Sequence, residues 1–399
     1  MKYNFDEYVE RRGTYSVKWD GAFTIPYMLP QDTHWTDETI PMFLADMDLA
    51  CPPALVEAMH RVADHRIFGY TMHKTDPRYN QCIIDWYQRR YNTEIKEEWL
   101  LYSNGSVTGI DCMLNTFLNP GEGVIIQPPV YGHFNGMIEH ETPHRVVHNS
   151  MINTDGYYTI DWEDFEQKCA VPTNRAFILC SPSNPVGRVW TIEELQRMAE
   201  ICKKHNVLVI SDEIHSDILR QGVTHHPIIS VVEDYSNIIM VIGANKSFNV
   251  AGLHVSNIII PDESLRGIFD NQFGMVFPTP FGVAAQIAAY DESEEWLDEL
   301  NLYLDANIDH TIEFFKERMP KLKAPRPEGT YMFWLDFREY GISDEDIVKR
   351  VYVDANVLLQ YGIEHDPING EGFQRMSIAC PRPMLDDALE RIANAFSDL

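Results

Sequence analysis

The stretch "AFILCSPSNPVGRVWTIEELQRMAEICKKHNVLVISDEIHSDI", residues 176–218, sets two short apolar runs on either side of a segment that carries helix signals at both ends. "AFILC" (176–180) and "VLVIS" (207–211) are apolar at successive positions, which suits strands buried on both faces of a mainly parallel sheet. Between them, "TIEELQRMAEICKKH" (191–205) opens on a Thr, has Glu in its first turn and closes on Lys and His, the marks of a capped helix. Strand, helix and strand in succession predict an α/β core.

The same alternation runs from about residue 80 to 290. "GVIIQ" (123–127), "IIMVIG" (238–243) and "SNIIIP" (256–261) repeat the short Val- and Ile-rich pattern. Beyond about 290 come long amphipathic helices, then "GTYMFWLDF" (329–337) and "FQRMSIAC" (373–380) as strands before a terminal helix. This predicts a large domain over 50–288 with a mainly parallel mixed sheet, and a smaller α+β domain built from 1–49 and 289–399. No Gly/Ser linker separates the two.

The chain has 399 residues, 45% of them hydrophobic, enough for a sizeable core. Lys and Arg total 32 against 60 Asp and Glu, a formal net charge of -28. Such an acidic surface repels phosphate backbones and anionic lipid, which disfavours nucleic acid and membrane partners. Seven widely spaced cysteines fit neither a disulfide framework nor a metal site. The first twenty residues carry charges throughout, and no run of eighteen apolar residues occurs, so a cytoplasmic location is expected.

In an open α/β sheet, function collects beyond the carboxyl ends of the strands. Tyr131 follows "GVIIQ", Asn184 and Arg188 follow "AFILC", Asp212 and His215 follow "VLVIS", and Lys246 follows "IIMVIG". An amine, a carboxylate, an amide and a phenol are thus expected on one rim. A fifth element, "YSNGSVTGI" (102–110), is a Gly-containing turn entering an apolar helix, whose free N–H groups suit a phosphate. Each residue alone has a plainer reading: Asp212 as a helix cap, Asn184 as a turn former before Pro185, Tyr131 as rim packing, Lys246 as a surface lysine. Their conjunction at successive strand ends matches the needs of pyridoxal 5'-phosphate: an amine for its aldehyde, an acid for its ring nitrogen, donors for its hydroxyl, a stacking aromatic and an anion site.

At "SPSNPVGRVW", "DEIHSDI" and "NKSFNVAGL" the chain resembles the fold type I pyridoxal-phosphate enzymes, the aminotransferase class I/II superfamily. "RRGTYSVKWD", "PMFLADMDLACPPAL", "FGYT", "IIQPPVYGHF" and "FQRMSIACPRPMLDDALERI" narrow this to the MalY/PatB type of cystathionine β-lyase, bacterial C–S lyases. The resemblance implies that Lys246 carries the cofactor and then acts as the base at the substrate Cα. It likewise implies that Asp212 pairs with the ring nitrogen, Asn184 bonds the ring hydroxyl, Tyr131 stacks on the ring, and the Ser106 and Val107 N–H groups hold the phosphate. His215 stands where many aminotransferases have Tyr, as in the lyases. Arg375 would take the substrate α-carboxylate, a task for which a guanidinium fork is suited. Tyr70 would reach the neighbouring subunit's site, which implies a homodimer.

Departures are also legible. Gly243 and His254 stand where many members have a Ser and an Arg on the phosphate, which implies a share for Ser247 or the partner's Tyr70. Leu49 replaces an aromatic, and "GIEHDPING" (362–370) departs from a Gly-rich loop. The implied reaction is α,β-elimination of L-cystathionine or another S-substituted L-cysteine to a thiol, pyruvate and ammonia. An aminotransferase and a non-catalytic regulator are the alternatives.

Overall fold

Seven strands form the main sheet: β1 (Leu100–Ser103), β2 (Gly123–Ile126), β3 (Arg145–His148), β4 (Asn174–Cys180), β5 (Leu208–Asp212), β6 (Ile238–Ile242) and β7 (Ser256–Ile259). Their spatial order is β1-β7-β6-β5-β4-β2-β3. The strands from β6 across to β3 run parallel, and β7 is antiparallel to both its neighbours. The structure is a computed structural model that describes residues 1–20, 36–273 and 276–399. Residues 21–35, within the predicted segment 1–49, and 274–275, within the predicted span 50–288, lie outside the described residues.

Both faces of this sheet are covered, and the period of two sorts its side chains. Val124, Ile126, Ala176, Ile178, Ile210, Ile239 and Val241 lie in one core with Ile110, Met113 and Leu114 of a helix. Their alternates Ile125, Phe177, Leu179, Val209, Ile238 and Met240 lie in a second, larger core with Trp86, Leu195, Met198 and Trp296. The helices concerned are α1 (Pro77–Tyr91), α2 (Ser106–Phe117), α3 (Ile192–Lys204) and α4 (Glu294–Arg318). Helix α3 begins with the predicted cap: the Thr191 side chain accepts from the Glu194 N–H, and Glu194 returns a bond to the Thr191 N–H.

A second, antiparallel sheet contains β8 (Met332–Asp336), β9 (Gln360–Tyr361) and β10 (Phe373–Ser377) in the order β8-β10-β9. Residues Ile40–Pro41 pair in parallel with Val357–Leu358, which brings the segment before residue 50 against this part of the chain. Among the described residues, no helix is long and apolar enough to cross a membrane.

The alternation also separates the two acids at the end of β5. Asp212 is level with Cys180 of β4 and shares the face of Ile210, toward α2. Glu213, one residue on, joins Ser211 on the opposite face. There its carboxylate accepts from the Ser211 hydroxyl at 2.8 Å and the Ile228 N–H at 3.0 Å, and lies 2.8 Å from His225 Nε2. Glu213 is fully buried, so removing it leaves three groups without their partner. Glu213→Ala is expected to lower stability by about 3 kcal/mol, against about 1 kcal/mol for the Thr191→Ala cap deletion. Denaturant unfolding of the two variants side by side checks this order.

Candidate active site

The carboxyl ends of β4, β5 and β6 open into a cavity of about 280 Å³. Its floor and walls come from Tyr131, Asn184, Asp212, His215 and Lys246, together with the first turn of α2. Gly105 precedes that helix at φ 105°, a backbone state that favours glycine. No side chain caps α2, so the N–H groups of Ser106, Val107 and Thr108 face the cavity free, at the positive end of the helix.

Asp212 and Lys246 meet here with little water. Burial pushes the Asp212 acid up to about 7, opposed by its bond from the Ile214 N–H and by the Lys246 charge. Burial likewise lowers the Lys246 amine to about 8; Asp46 and Asp212 work against that shift and Arg375 works with it. Lys246 Nζ donates to the Ala45 carbonyl at 2.7 Å. His215 is buried and its Nδ1 has no partner; burial holds its basicity far below the ordinary range, so the ring is neutral.

Arg375 enters from β10. Its Nη1 donates to Asn184 Oδ1 at 3.1 Å and its Nη2 to the Phe43 carbonyl at 2.8 Å, while Nε is buried and unpartnered. Burial lowers this guanidinium to about 10. The Asn184 amide group keeps its own N–H donors, because its oxygen is the atom that accepts from Arg375. Tyr131 is half-buried beside Asn184 and packs edge-on against Phe134, with ring centroids 5.4 Å apart.

Two expectations need correcting, those for Arg188 and Ser247. Arg188 does not reach the cavity: it pairs with Glu194 at 2.9 Å and Glu328 at 3.1 Å, and its guanidinium lies over the rings of Tyr157 and Trp190. Ser247 is fully buried and donates to Asp217 Oδ2 at 2.8 Å, which leaves it no bond for a phosphate. Tyr70 is 97% exposed, beside Phe277, and does not line the cavity within its own chain. The glycine at 243 has a steric reason: a Cβ there would sit 2.9 Å from the Val255 carbonyl and 3.0 Å from Ile214. His254, in the left-handed region at φ 52°, does line the cavity.

Sequence reasoning missed the carbonyls of Ala45 and Phe43, since backbone acceptors carry no residue-type signal. It also missed Asn245, whose Nδ2 donates to Ser256 Oγ at 3.0 Å while its buried Oδ1 is unpartnered.

The donor set suits pyridoxal 5'-phosphate. The free N–H groups of α2 match a phosphate, the buried Asp212 acid matches a protonated ring nitrogen, the unspent Asn184 donors match a ring hydroxyl, and the Lys246 amine matches an aldehyde.

Comparison with known proteins agrees. The profile of the family described as aminotransferase class I and II matches residues 43–392. Cystathionine beta-lyase PatB of Bacillus subtilis (strain 168) is 39% identical over 398 residues, 99% of this chain and 100% of that protein. Cystalysin from Treponema denticola, whose crystal structure contains pyridoxal 5'-phosphate, superposes with a TM-score of 0.93 at 32% identity over 100% of both chains. The PLP-bound C-S lyase from Staphylococcus hominis gives 0.92 at 34% identity, over 99% of this chain and 98% of that one. With the cavity at the strand ends and a match along nearly its whole length, the chain belongs to the aminotransferase class I and II family.

Proposed function

We propose that this chain is a pyridoxal 5'-phosphate-dependent carbon–sulfur β-lyase. It carries out α,β-elimination on L-cystathionine or other S-substituted L-cysteines, releasing a thiol, pyruvate and ammonia. The observation that carries this reading is the placement of Lys246 in one cavity with Asp212, in a chain that aligns end to end with a cystathionine β-lyase.

When bound, pyridoxal 5'-phosphate supplies an aldehyde for the substrate amino group and a ring that takes up the electron pair left as the Cα proton departs. The residues of the chain do the rest. Lys246 Nζ takes the Cα proton; an amine held near 8 has a usable neutral fraction at physiological pH, unlike one at the ordinary 10.5. Asp212 keeps a proton on the ring nitrogen, and that bond returns a counter-charge to an acid that burial otherwise drives toward neutrality. Asn184 donates to the ring hydroxyl, Tyr131 covers the ring face, and the N–H groups of Ser106 and Val107 bind the phosphate. His215 lies beside Asp212 as a neutral ring and adds no competing charge.

Arg375 receives the substrate α-carboxylate. Its bonds to Asn184 and the Phe43 carbonyl orient the fork before substrate arrives, so little side-chain freedom remains to be lost on binding. The carboxylate also replaces hydration that burial has removed from the guanidinium.

The reading includes a homodimer. Ile67, Phe68 and Tyr70 are 69%, 58% and 97% exposed, and the Tyr70 ring lies 5.6 Å from that of Phe277 between centroids. An apolar, aromatic patch of this kind is what a subunit interface covers, and there Tyr70 would complete the partner's site. All seven cysteines are unpaired, which supports a reducing, cytoplasmic setting.

Wild-type enzyme is expected to release pyruvate from L-cystathionine with no added keto acid, and Lys246→Ala to lose about four orders of magnitude in rate. Pyruvate that appears only with a keto acid acceptor would instead identify an aminotransferase. Arg375→Lys is expected to lower kcat/KM about a hundredfold, mainly through KM. Mixing Tyr70→Ala with Lys246→Ala is expected to restore activity to about a quarter of wild type, since each hybrid dimer holds one site with both residues intact. A mixture that stays inactive would place Tyr70 in its own chain's site or outside both.

A further inference from the structure

The Ala45 carbonyl that accepts from Lys246 Nζ at 2.7 Å also accepts from the Tyr331 hydroxyl at 3.1 Å. Tyr331 is fully buried, and its ring stands edge-on to His215 with centroids 5.8 Å apart. It therefore touches two sides of the site without lining the cavity. We propose that Tyr331 is a positioning residue for Lys246: with the Ala45 carbonyl it forms a berth that holds the amine whenever it is not engaged at the cofactor, and keeps that berth from gripping the charged form too tightly.

Three observations support a built arrangement. First, the backbone that delivers Tyr331 is strained. Thr330 is β-branched and fully buried, yet adopts φ 66°, held by its N–H on the Ile218 carbonyl at 2.8 Å. Gly329 before it has no room for a side chain, since a Cβ would approach Pro182 to 2.9 Å. Second, the position of Ala45 relative to the lysine is fixed from the lysine's own loop. Asn249 accepts from the Met47 N–H at 3.0 Å and donates to the carbonyls of Met47 at 3.0 Å and Leu49 at 2.8 Å. Third, the one Ala45 carbonyl takes both donors, Lys246 Nζ and the Tyr331 hydroxyl, so the two share its lone pairs and compete for the same oxygen.

The charged groups around the amine come from every neighbouring element. Asp212 ends β5 and the neutral His215 follows it, Arg375 comes from β10, Asp46 follows Ala45, and Tyr331 precedes β8. Asp46 favours the charged amine, but it is itself paired with Arg11 at 2.6 Å. The Tyr331 hydroxyl acts in the other direction, by drawing on the same carbonyl. The berth thus gives the released amine a defined position near the substrate and leaves it easy to deprotonate.

This inference rests on Lys246 being the base, and its test separates the two ideas. Tyr331→Phe removes one hydroxyl and keeps the ring. In the full chain, before cofactor is added, the reductive methylation of Lys246 by formaldehyde with cyanoborohydride as hydride donor is followed against pH by mass spectrometry. In the holoenzyme, kcat for pyruvate release is followed against pH. The variant is expected to raise the Lys246 midpoint in both by about half to one pH unit, one hydrogen bond's worth redistributed onto the amine, with KM unchanged. If Tyr331→Phe fails to fold, 3-fluorotyrosine at position 331, a stronger donor of the same shape, is expected to shift the midpoint downward. An unchanged midpoint in a folded variant overturns the berth while leaving the lyase reading intact. Absence of pyruvate from wild-type enzyme on every thioether overturns the lyase reading, and the methylation midpoint still decides the berth.

Discussion

Strands β4, β5 and β6 are buried on both faces, so a polar side chain can be accommodated only where each strand ends. The placing of Asn184, Asp212 and Lys246 follows from that restriction. Cys180 and Asp212 end their strands at the same level, and Lys246 lies four residues beyond the end of the next. The sheet is in this sense an alignment device: apolar packing in the middle sets the height at which the reactive groups emerge. The first turn of α2, packed on the same face as Asp212, is brought level with them by Ile110, Met113 and Leu114.

The electrostatics of the cavity have a common direction. Burial moves the Asp212 acid up, and the Lys246 amine and the Arg375 guanidinium down, each toward its neutral form. Among the described residues none of the three has a full counter-ion in its first contacts: Lys246 meets a carbonyl, Arg375 an amide and a carbonyl, Asp212 a backbone N–H. A site of this kind holds its charges in readiness for ligands that bring the opposite ones. By contrast, two buried acids outside the cavity, Asp48 and Asp217, are fully engaged. Asp48 takes Lys18 at 2.6 Å and Arg11 at 2.7 Å, and Asp217 takes bonds from Trp86, Tyr91 and Ser247. That difference, rather than burial alone, distinguishes Asp212 from other buried acids.

Much of this was legible in the sequence. The short, unbroken apolar runs were readable as strands because both faces are buried, and α3 because its cap is spelled out at both ends. Lys246, Asp212, Asn184 and Tyr131 could be listed from the strand ends alone, and the structure brings them into one cavity. The edge strands β1 and β3 were not read, because each has a sheet neighbour on one side only and neither is buried throughout, β3 least of all, so the apolar signal is diluted. Arg188 follows the same strand as Asn184, yet Glu194 and Glu328 take it away from the rim, and a glutamate as distant in sequence as Glu328 leaves no local trace. The carbonyls of Ala45 and Phe43 were invisible for a different reason, since any residue offers one. Gly243 could be read only as a departure until the Val255 carbonyl showed that a larger residue has no space.

The hydrogen bonds that close the site join distant parts of the chain. Arg375 reaches back to Phe43, the Ser377 N–H bonds the Met42 carbonyl at 2.8 Å, and Asn249 holds residues 47 and 49. The consequence is one of timing during synthesis. A chain still on the ribosome with residue 370 just made already contains the whole main sheet, Lys246 and Asp212, but the segment around Ala45 lacks the β10 strand that holds it. The residues placed at the cofactor are by then all made, and the site gains its carboxylate fork only with Arg375, so a growing chain holds the means to bind cofactor before it holds the means to bind substrate.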